Sequence, residues 1–170
     1  FGIFVRFVDN PEIEGLIHEF LKEPVRISVK TGDTSKNVEQ DVVRVGQGRD
    51  KFEALHEILS KEDLKKVLIF GRTKHGVERL SNALISKGYK SESIHGDKPH
   101  ARRQKALKLF KDNEVKILVA TDVAARGLDI PDVSHVINYD IPATHDDYIH
   151  RIGRTGRGEK KGKALTFLDH

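Results

Sequence analysis

Three arginines recur at every third residue in one short stretch of this 170-residue sequence, as Arg151, Arg154 and Arg157 of H-R-I-G-R-T-G-R. A guanidinium binds phosphate oxygens in bidentate fashion and keeps its charge, which suits the charge that develops in phosphoryl transfer. A helix ending at Gly153 would let Arg154 and Arg157 project the same way. The alternative, cations that complement the dipole of a helix C-terminus, accounts for one arginine but not for three with glycines between them.

A second polar stretch, A-T-D-V-A-A-R-G-L-D at 120–129, follows a run of aliphatic residues. Thr121 comes directly after that run, where its hydroxyl and free backbone N–H groups could meet a phosphate. Asp129 offers acceptors suited to sugar hydroxyls. The competing interpretation is a helix N-cap at Thr121 or Asp122 followed by a solvated loop. The residue types alone leave both interpretations open.

The third candidate is I-H-G-D at 94–97, together with the basic helical pattern that follows it. Gly96 would allow a ligand to approach the backbone closely, and Arg103 would face outward from the helix. Clustered cations suit the phosphate groups of nucleic acid or nucleotide. They are Arg102, Arg103, Lys105, Lys108 and Lys111. The alternative is a turn followed by an ordinary basic helix.

The rest of the composition excludes several kinds of site. No G-x-x-x-x-G-K-[ST] and no G-x-S-x-G occurs, so the sequence contains neither a Walker phosphate loop nor a nucleophile elbow. His145 and His150 are off the i, i+4 face of a zinc helix and cysteine is absent, so we expect no metal site and no disulfide. The formal net charge is +4. No apolar run approaches the ~20 residues of a membrane span. We predict a cytoplasmic protein without membrane contact.

Short apolar runs alternate with helical patterns along most of the chain. Strands are predicted at 38–45, 66–70, 91–95, 115–120, 135–139 and 164–168, and helices at 50–59, 74–87, 101–112 and 146–152. The helix at 74–87 is expected to carry its apolar residues Val77, Leu80, Leu84 and Ile85 on one face.

Such alternation with short loops predicts an α/β fold, a parallel sheet with helices on both faces. Because ligands gather beyond the carboxyl ends of parallel strands, we expect the candidate segments to share one surface.

Together these segments resemble the C-terminal RecA-like domain of DEAD-box RNA helicases. L-I-F-G-R-T-K at 68–74 is similar to that family's motif IV, and I-H-G-D at 94–97 with Arg103 to the region of motif IVa. A-T-D-V-A-A-R-G-L-D-I-P at 120–131 resembles motif V, and H-R-I-G-R-T-G-R at 150–157 resembles motif VI. The resemblance implies a RecA-like fold and an ATP-dependent RNA helicase of two domains, with ATP and RNA bound in the cleft between them.

The resemblance also implies roles on the nucleotide side of that cleft. Arg154 and Arg157 match arginine fingers that reach the γ-phosphate of ATP. Asp129 matches the ribose contact, with Gly127 beside it. The residues that match those coupling to the acidic motif of the other domain are His150 and Arg151. ATP and Mg2+ would both be held mainly by the N-terminal RecA-like domain.

On the RNA side, the resemblance implies contacts to the sugar–phosphate backbone and therefore salt-sensitive binding without sequence preference. The matching residues are Thr73, Gly96, His100, Arg103 and Thr121. Two positions depart from the family pattern: His100 replaces the usual Gln, and Gly71-Arg72 stands where a Cys-Asn pair is common.

The beginning of the chain resembles the end of the family's N-terminal domain. On this interpretation residues 1–30 are a strand and helix of that domain, 31–37 are a polar linker, and 38–170 are the C-terminal helicase domain. Arg6-Phe7-Val8 stand where a Ser-Ala-Thr motif is expected. Because an exposed apolar strand seeks another edge, residues 1–21 are expected to pack onto the domain or to mediate self-association.

We therefore expect the C-terminal half of an ATP-dependent RNA helicase, an RNA-stimulated ATPase as the full-length protein. The Walker lysine and the acidic motif are not in this sequence, so the chain by itself is expected to be inactive. Two alternatives stay open. One is a DNA helicase of the same superfamily, in which Gln more often stands at the position of His150. The other is a non-catalytic RNA-binding or ATPase-regulating module.

Overall fold

The computed structural model describes residues 4–6, 37–46, 48, 50–61 and 64–169. Its strands are β1 (Phe4–Arg6), β2 (Val38–Val45), β3 (Val67–Phe70), β4 (Ser91–Ile94), β5 (Ile117–Ala120), β6 (His135–Asn138) and β7 (Gly162–Asp169). Its helices are α1 (Lys51–Lys61), α2 (Lys74–Ser86), α3 (His100–Lys111), α4 (Asp122–Ala125) and α5 (His145–Ile152). The strands form one sheet in the order β1-β2-β7-β6-β3-β5-β4.

The six strands β2 to β7 run parallel to one another, which confirms the predicted parallel sheet. In the central strand β3, Val67 lies opposite Ile117 of β5 on one side and His135 of β6 on the other. All four residues of β3 and all four of β5 are buried. Continuous burial is expected where helices cover both faces, and it explains the uninterrupted aliphatic sequence of these strands.

Two separate cores lie on the two faces of the sheet. Side chains of α1 and α2 pack on one face, with Leu55 and Val77 fully buried. Helices α3, α4 and α5 pack on the other face, where Phe110 and Ile152 are buried. Ile85 was predicted to share the inward stripe of α2, but it is 51% exposed. Its position one residue after Leu84 rotates it by a further 100° around the helix axis, away from the sheet.

The three-residue strand β1 adds an antiparallel edge to the parallel sheet, with Phe4 opposite Val43 of β2. This pairing within the chain is one of the two outcomes expected for the first residues. The helix predicted within residues 1–30, the residues Phe7-Val8 and the 31–37 linker up to residue 36 lie outside the described residues. The proposed domain boundary therefore stays a prediction.

The order of the strands brings two helices together beside the end of β3. After β5 the chain crosses to the other side of β3 and forms β6 there. Helix α4 follows β5 and helix α5 follows β6, so the two approach each other over the central strand. In open parallel sheets such a reversal of strand order is where ligands bind.

Candidate functional site

The four motif-bearing segments all reach the carboxyl edge of the sheet. Those after β3, β4 and β5 begin at the carboxyl ends of these strands. The arginine segment extends from that edge, where Arg151 donates to the Asp140 carbonyl, to the amino end of β6, where the Val133 amide donates to the Arg154 carbonyl at 3.0 Å. His150, Arg151 and Arg154 line one pocket with Phe70 and Asp122, so this segment shares a surface with those after β3 and β5.

Arg151, the first of the three arginines, is turned inward and only 2% exposed. Its Nε and Nη2 donate to the two carboxylate oxygens of Asp122 at 2.7 and 2.6 Å. Its Nη1 donates to Asn138 Oδ1 at 3.2 Å and to the Asp140 carbonyl at 2.7 Å. The guanidinium carbon lies 5.0 Å from the centre of the Phe70 ring. As placed, Arg151 fastens α5 to α4 and to the end of β3 rather than projecting toward solvent.

A shallow pocket opens over this buried pair, between α4 and α5. His150 and Arg154 line it from the end of α5, and Arg126 lines it from the residue after α4. Arg126 forms an ion pair with Asp147, whose side chain is 12% exposed. His150 is exposed. The pocket lining carries three arginines against two aspartates and contains both residues assigned to interdomain coupling, His150 and Arg151.

The second and third arginines lie in one electrostatic group with Asp129. The carboxylate of Asp129 is 88% exposed and accepts from Lys111 Nζ at 2.8 Å; this bond, followed by the charges of Arg157 and Arg154, lowers the pKa of Asp129. Burial lowers the pKa of Arg154, and the neighbouring Arg157 lowers it further. Arg157 is exposed, and its Nε donates to the Gly153 carbonyl at 2.9 Å. The structure therefore brings together the two guanidiniums and the acceptor that the sequence analysis associated with a nucleotide.

Glycines and a buried threonine hold the turn that carries these arginines. Thr155 is fully buried, and its hydroxyl donates to the Val133 carbonyl. A Cβ on Gly156 would lie 2.6 Å from Val38 Cγ2, and one on Gly162 would lie 2.6 Å from the Gly156 amide nitrogen. The turn at Gly156 and the start of β7 at Gly162 therefore pack too closely for side chains at these two positions.

Gly127 occupies a different setting, between α4 and Asp129. Its φ of +75° is in the left-handed region, where residues with a Cβ are strained, and the space around a Cβ would be open. The glycine is thus required by the backbone conformation of the loop that delivers Asp129.

At the carboxyl edge, Thr73 and Thr121 are both helix N-caps. Thr73 Oγ1 accepts from the Gly76 amide at 3.0 Å, and Thr121 Oγ1 accepts from the Ala124 amide at 3.4 Å. Thr121, rather than Asp122, is therefore the cap of the two that the sequence left open. Capping uses one acceptor lone pair of the hydroxyl and leaves its O–H free to donate to a phosphate oxygen. Thr73 is exposed, whereas Thr121 is 8% exposed.

The remaining candidates for RNA contact lie between β4 and the first turn of α3. Gly96 and His100 are exposed, and Gln104 Nε2 lies 3.4 Å from His100 Nε2. Arg103 was expected to face outward, but it is only partly exposed and its Nε is buried without a hydrogen-bond partner. The reason is spacing, since Arg103 stands three and seven residues before Ala106 and Phe110, both on the buried face of α3.

Two side chains with a part in this site were not singled out from the sequence: Glu78 and Asp147. Each acts through a partner distant in sequence, so no local motif marks it. Arg126 was included only as part of the 120–129 stretch, and Lys111 only as one member of the basic cluster. Within the described ranges no group of three or more His, Asp or Glu residues is arranged to hold a metal ion. No helix in the described part of the chain is long and apolar enough to cross a membrane.

Comparison with known proteins gives consistent matches. The family model of the helicase conserved C-terminal domain matches residues 50–159. The chain is 45% identical over 157 residues to the DEAD-box ATP-dependent RNA helicase CshA of Bacillus subtilis, covering 92% of this chain and 32% of CshA. The chain thus spans about a third of the length of that curated relative.

Solved structures match as well. The crystal structure of a DEAD box protein from Methanococcus jannaschii shares 35% identity, with a TM-score of 0.73, over 96% of this chain and 44% of that one. Dbp5 of S. cerevisiae, bound to RNA and ADP BeF3, shares 38% identity, with a TM-score of 0.64, over 71% of this chain and 32% of that one. These matches confirm the RecA-like fold predicted from the sequence.

Proposed function

This chain belongs to the DEAD-box RNA helicases, as their conserved C-terminal domain, and on that premise we propose that it serves as half of an ATP-dependent RNA helicase. In this role it binds the RNA backbone and supplies arginine fingers for ATP hydrolysis. Its partner is an N-terminal RecA-like domain of the same protein, which holds most of the ATP and the Mg2+.

The observation that carries the proposal is that Arg154 and Arg157 lie close enough to Asp129 for both guanidinium charges to lower the pKa of its carboxylate. Bound ATP supplies the phosphoryl group that is transferred to water. Arg154 and Arg157 stabilise the negative charge on that group, which is the role for which guanidiniums are suited. Asp129 accepts hydrogen bonds from the ribose hydroxyls and exchanges its present partner, the exposed amine of Lys111, for them.

RNA binds at the other edge of the site. The hydroxyls of Thr73 and Thr121, the Gly96 backbone, the imidazole of His100 and the guanidinium of Arg103 contact successive phosphates. Support comes from their common location after β3, β4 and β5, and from the RNA and nucleotide bound to the related Dbp5. CshA is an RNA helicase by name and the Dbp5 structure contains RNA, which favours RNA over DNA as the nucleic acid.

The interdomain role assigned to His150 and Arg151 divides between them. His150 is exposed at the pocket and faces the partner domain directly. Arg151 contributes by holding α5 in place, because every nitrogen of its guanidinium is already engaged within the domain. The layout of a short N-terminal remnant at 1–30, a linker at 31–37 and a helicase domain at 38–170 is part of the same proposal.

The test is reconstitution of ATPase activity. The chain alone is expected to release no phosphate from ATP, with or without RNA, because it contains no Walker motif. Mixed with the N-terminal domain of its own full-length protein, it is expected to restore RNA-stimulated hydrolysis. Substitution R154A or R157A should then lower turnover by about 10³-fold or more.

The matched control is R79A, which removes an exposed arginine from α2 on the opposite face of the sheet. It should leave turnover within about twofold, since surface substitutions away from such features have small effects. Appreciable hydrolysis by the isolated chain, or equal turnover in R154A and R79A, would contradict the proposal.

A further inference from the structure

One carboxylate oxygen at the RNA-facing edge collects three donors that the proposed function does not use. Glu78, on α2, accepts at Oε2 from the Ser93 hydroxyl, from His95 Nε2 at 3.0 Å and from Lys98 Nζ at 3.2 Å. Lys98 Nζ also donates to Ser93 Oγ at 2.5 Å. Burial alone would raise the pKa of Glu78, but the hydrogen bonds from Ser93, His95 and Lys98 lower it to about 2. The Glu78 cluster (Glu78, Ser93, His95 and Lys98) is therefore a charged network at neutral pH.

The cluster holds both ends of a tight turn. The Lys98 amide donates to the His95 carbonyl at 3.1 Å, which leaves Gly96 and Asp97 as the two central residues of that turn. His95 and Lys98 are the two residues bound through their side chains to Glu78. Asp97 at the centre is bound separately, by Lys74 at 2.7 Å. Helix α2 thus fastens the turn at three of its four residues.

Only Gly96 is left without a side-chain tether, and nothing in the described part of the chain requires glycine there. A Cβ at Gly96 would meet no atom within 4 Å, and its φ is outside the left-handed region. Its backbone is exposed. A glycine that neither internal packing nor backbone conformation demands is explained by a ligand approaching the backbone closely.

We propose that Glu78 is a positioning residue for RNA binding: it makes no contact with RNA but, through Ser93, His95 and Lys98, fixes the turn that presents the Gly96 backbone to a phosphate. This inference rests on the proposed function, since it assumes that RNA binds at Gly96. On this proposal the carboxylate of Glu78 favours the binding of RNA, although its negative charge by itself repels the RNA phosphates.

Positioning and charge therefore predict opposite effects of a Glu78 substitution on the affinity for RNA. E78Q raises the formal net charge from +4 to +5. Considered as charge alone, this change should tighten binding of RNA. Positioning predicts that E78Q weakens binding of fluorescein-labelled single-stranded oligouridine, measured by anisotropy with the 170-residue chain, roughly three- to tenfold. The matched control is E92Q on β4, which changes the charge equally outside the Glu78 cluster and should bind equally well or slightly more tightly.

Salt dependence separates positioning from loss of a phosphate contact. R103A should reduce the slope of log K against log salt by about 0.7, as expected when one phosphate contact to a single strand is lost. E78Q should weaken binding without reducing that slope. A lower slope for E78Q, of the size found for R103A, would overturn the positioning role.

The amide resonances of Gly96 and Lys98 report on the turn without RNA. In the free protein, E78Q should shift both resonances and accelerate their hydrogen exchange, whereas E92Q should not. S93A keeps the charge and removes one donor; it should produce smaller shifts and about a twofold loss of affinity. It serves as the test if E78Q fails to fold as judged by circular dichroism.

Two results would refute the inference in distinguishable ways. If the unaltered chain binds RNA but E78Q binds as tightly as E92Q, or leaves the Gly96 amide unchanged, Glu78 does not position the turn and the proposed function is unaffected. If the unaltered chain does not bind oligouridine and its Gly96 amide does not respond, RNA binding at this turn fails, and the inference fails with it.

Discussion

The buried ion pair between Arg151 and Asp122 makes a specific prediction about stability. In D122A the guanidinium keeps Asn138 Oδ1 and the Asp140 carbonyl as acceptors but loses both of its charge-assisted bonds, at 2.6 and 2.7 Å, while only 2% exposed. Removing one partner of a buried pair costs about 3–5 kcal/mol. Because Asp122 is itself 25% exposed, we expect the lower end, a loss of about 3 kcal/mol in the free energy of unfolding.

The assay is urea unfolding followed by circular dichroism, because the chain contains no tryptophan to serve as a fluorescent probe. A loss of about 3 kcal/mol corresponds to a fall in Tm of about 6–12 °C for a domain of this size. Adding R151M to D122A should recover part of that loss, because the uncompensated charge is then replaced by an unbranched apolar side chain.

The control is D112A, which removes a solvent-exposed pair with Lys108 in which the two side chains are 43% and 76% exposed. It should lower stability far less than D122A does, because solvent screens an exposed pair. The reasoning is refuted if D122A is as stable as D112A, or if the double variant is less stable than D122A alone.

Three further outcomes are expected. G162A should lower the free energy of unfolding by about 3 kcal/mol, because its Cβ would overlap the buried Thr155 hydroxyl; a loss below 1 kcal/mol would contradict this, as judged by urea unfolding. Glu78, with its pKa lowered from 4.5 to about 2, should stabilise the fold above pH 4.5 and lose that contribution as the pH falls toward 2. Its side chain is 40% exposed, so the contribution is about 1–2 kcal/mol, and E78Q should remove this pH dependence. T144A removes the N-cap of α5, which accepts from the Asp147 amide at 3.1 Å, and should cost about 1 kcal/mol by thermal unfolding, against no change for T144S.

Most of the secondary structure could be predicted from local pattern because the signals are local. Uninterrupted aliphatic residues mark β3 and β5, which are buried on both faces. Helical spacing of apolar residues marks α2 and α3 to within one or two residues at each end. The predictions fail for Ile85 and Arg103, which lie at the border between the buried and exposed faces of their helices. Helical spacing predicts that a helix forms, but it does not determine how that helix is rotated about its axis against the sheet.

The candidate site could be predicted in its residue types but not in its pairings. Thr121 was correctly considered as the start of a helix, but the sequence did not decide between Thr121 and Asp122 as the N-cap. In the structure Thr121 caps the helix, while the carboxylate of Asp122 accepts from Arg151. Glu78 carries no sequence signal at all, because Ser93 and His95 lie 15 and 17 residues away and reach it only through the packing of α2 against β4.

Local periodicity and the order of the motifs were therefore enough to predict the α/β class, the parallel sheet and the family. The different positions of three chemically identical arginines became clear only from the folded chain. Arg151 is buried against Asp122, 29 residues earlier in the chain, while Arg154 and Arg157 remain beside Asp129. The physical reason is that a guanidinium is held by whatever acceptors surround it, and the crossing of the chain over β3 determines which acceptors those are.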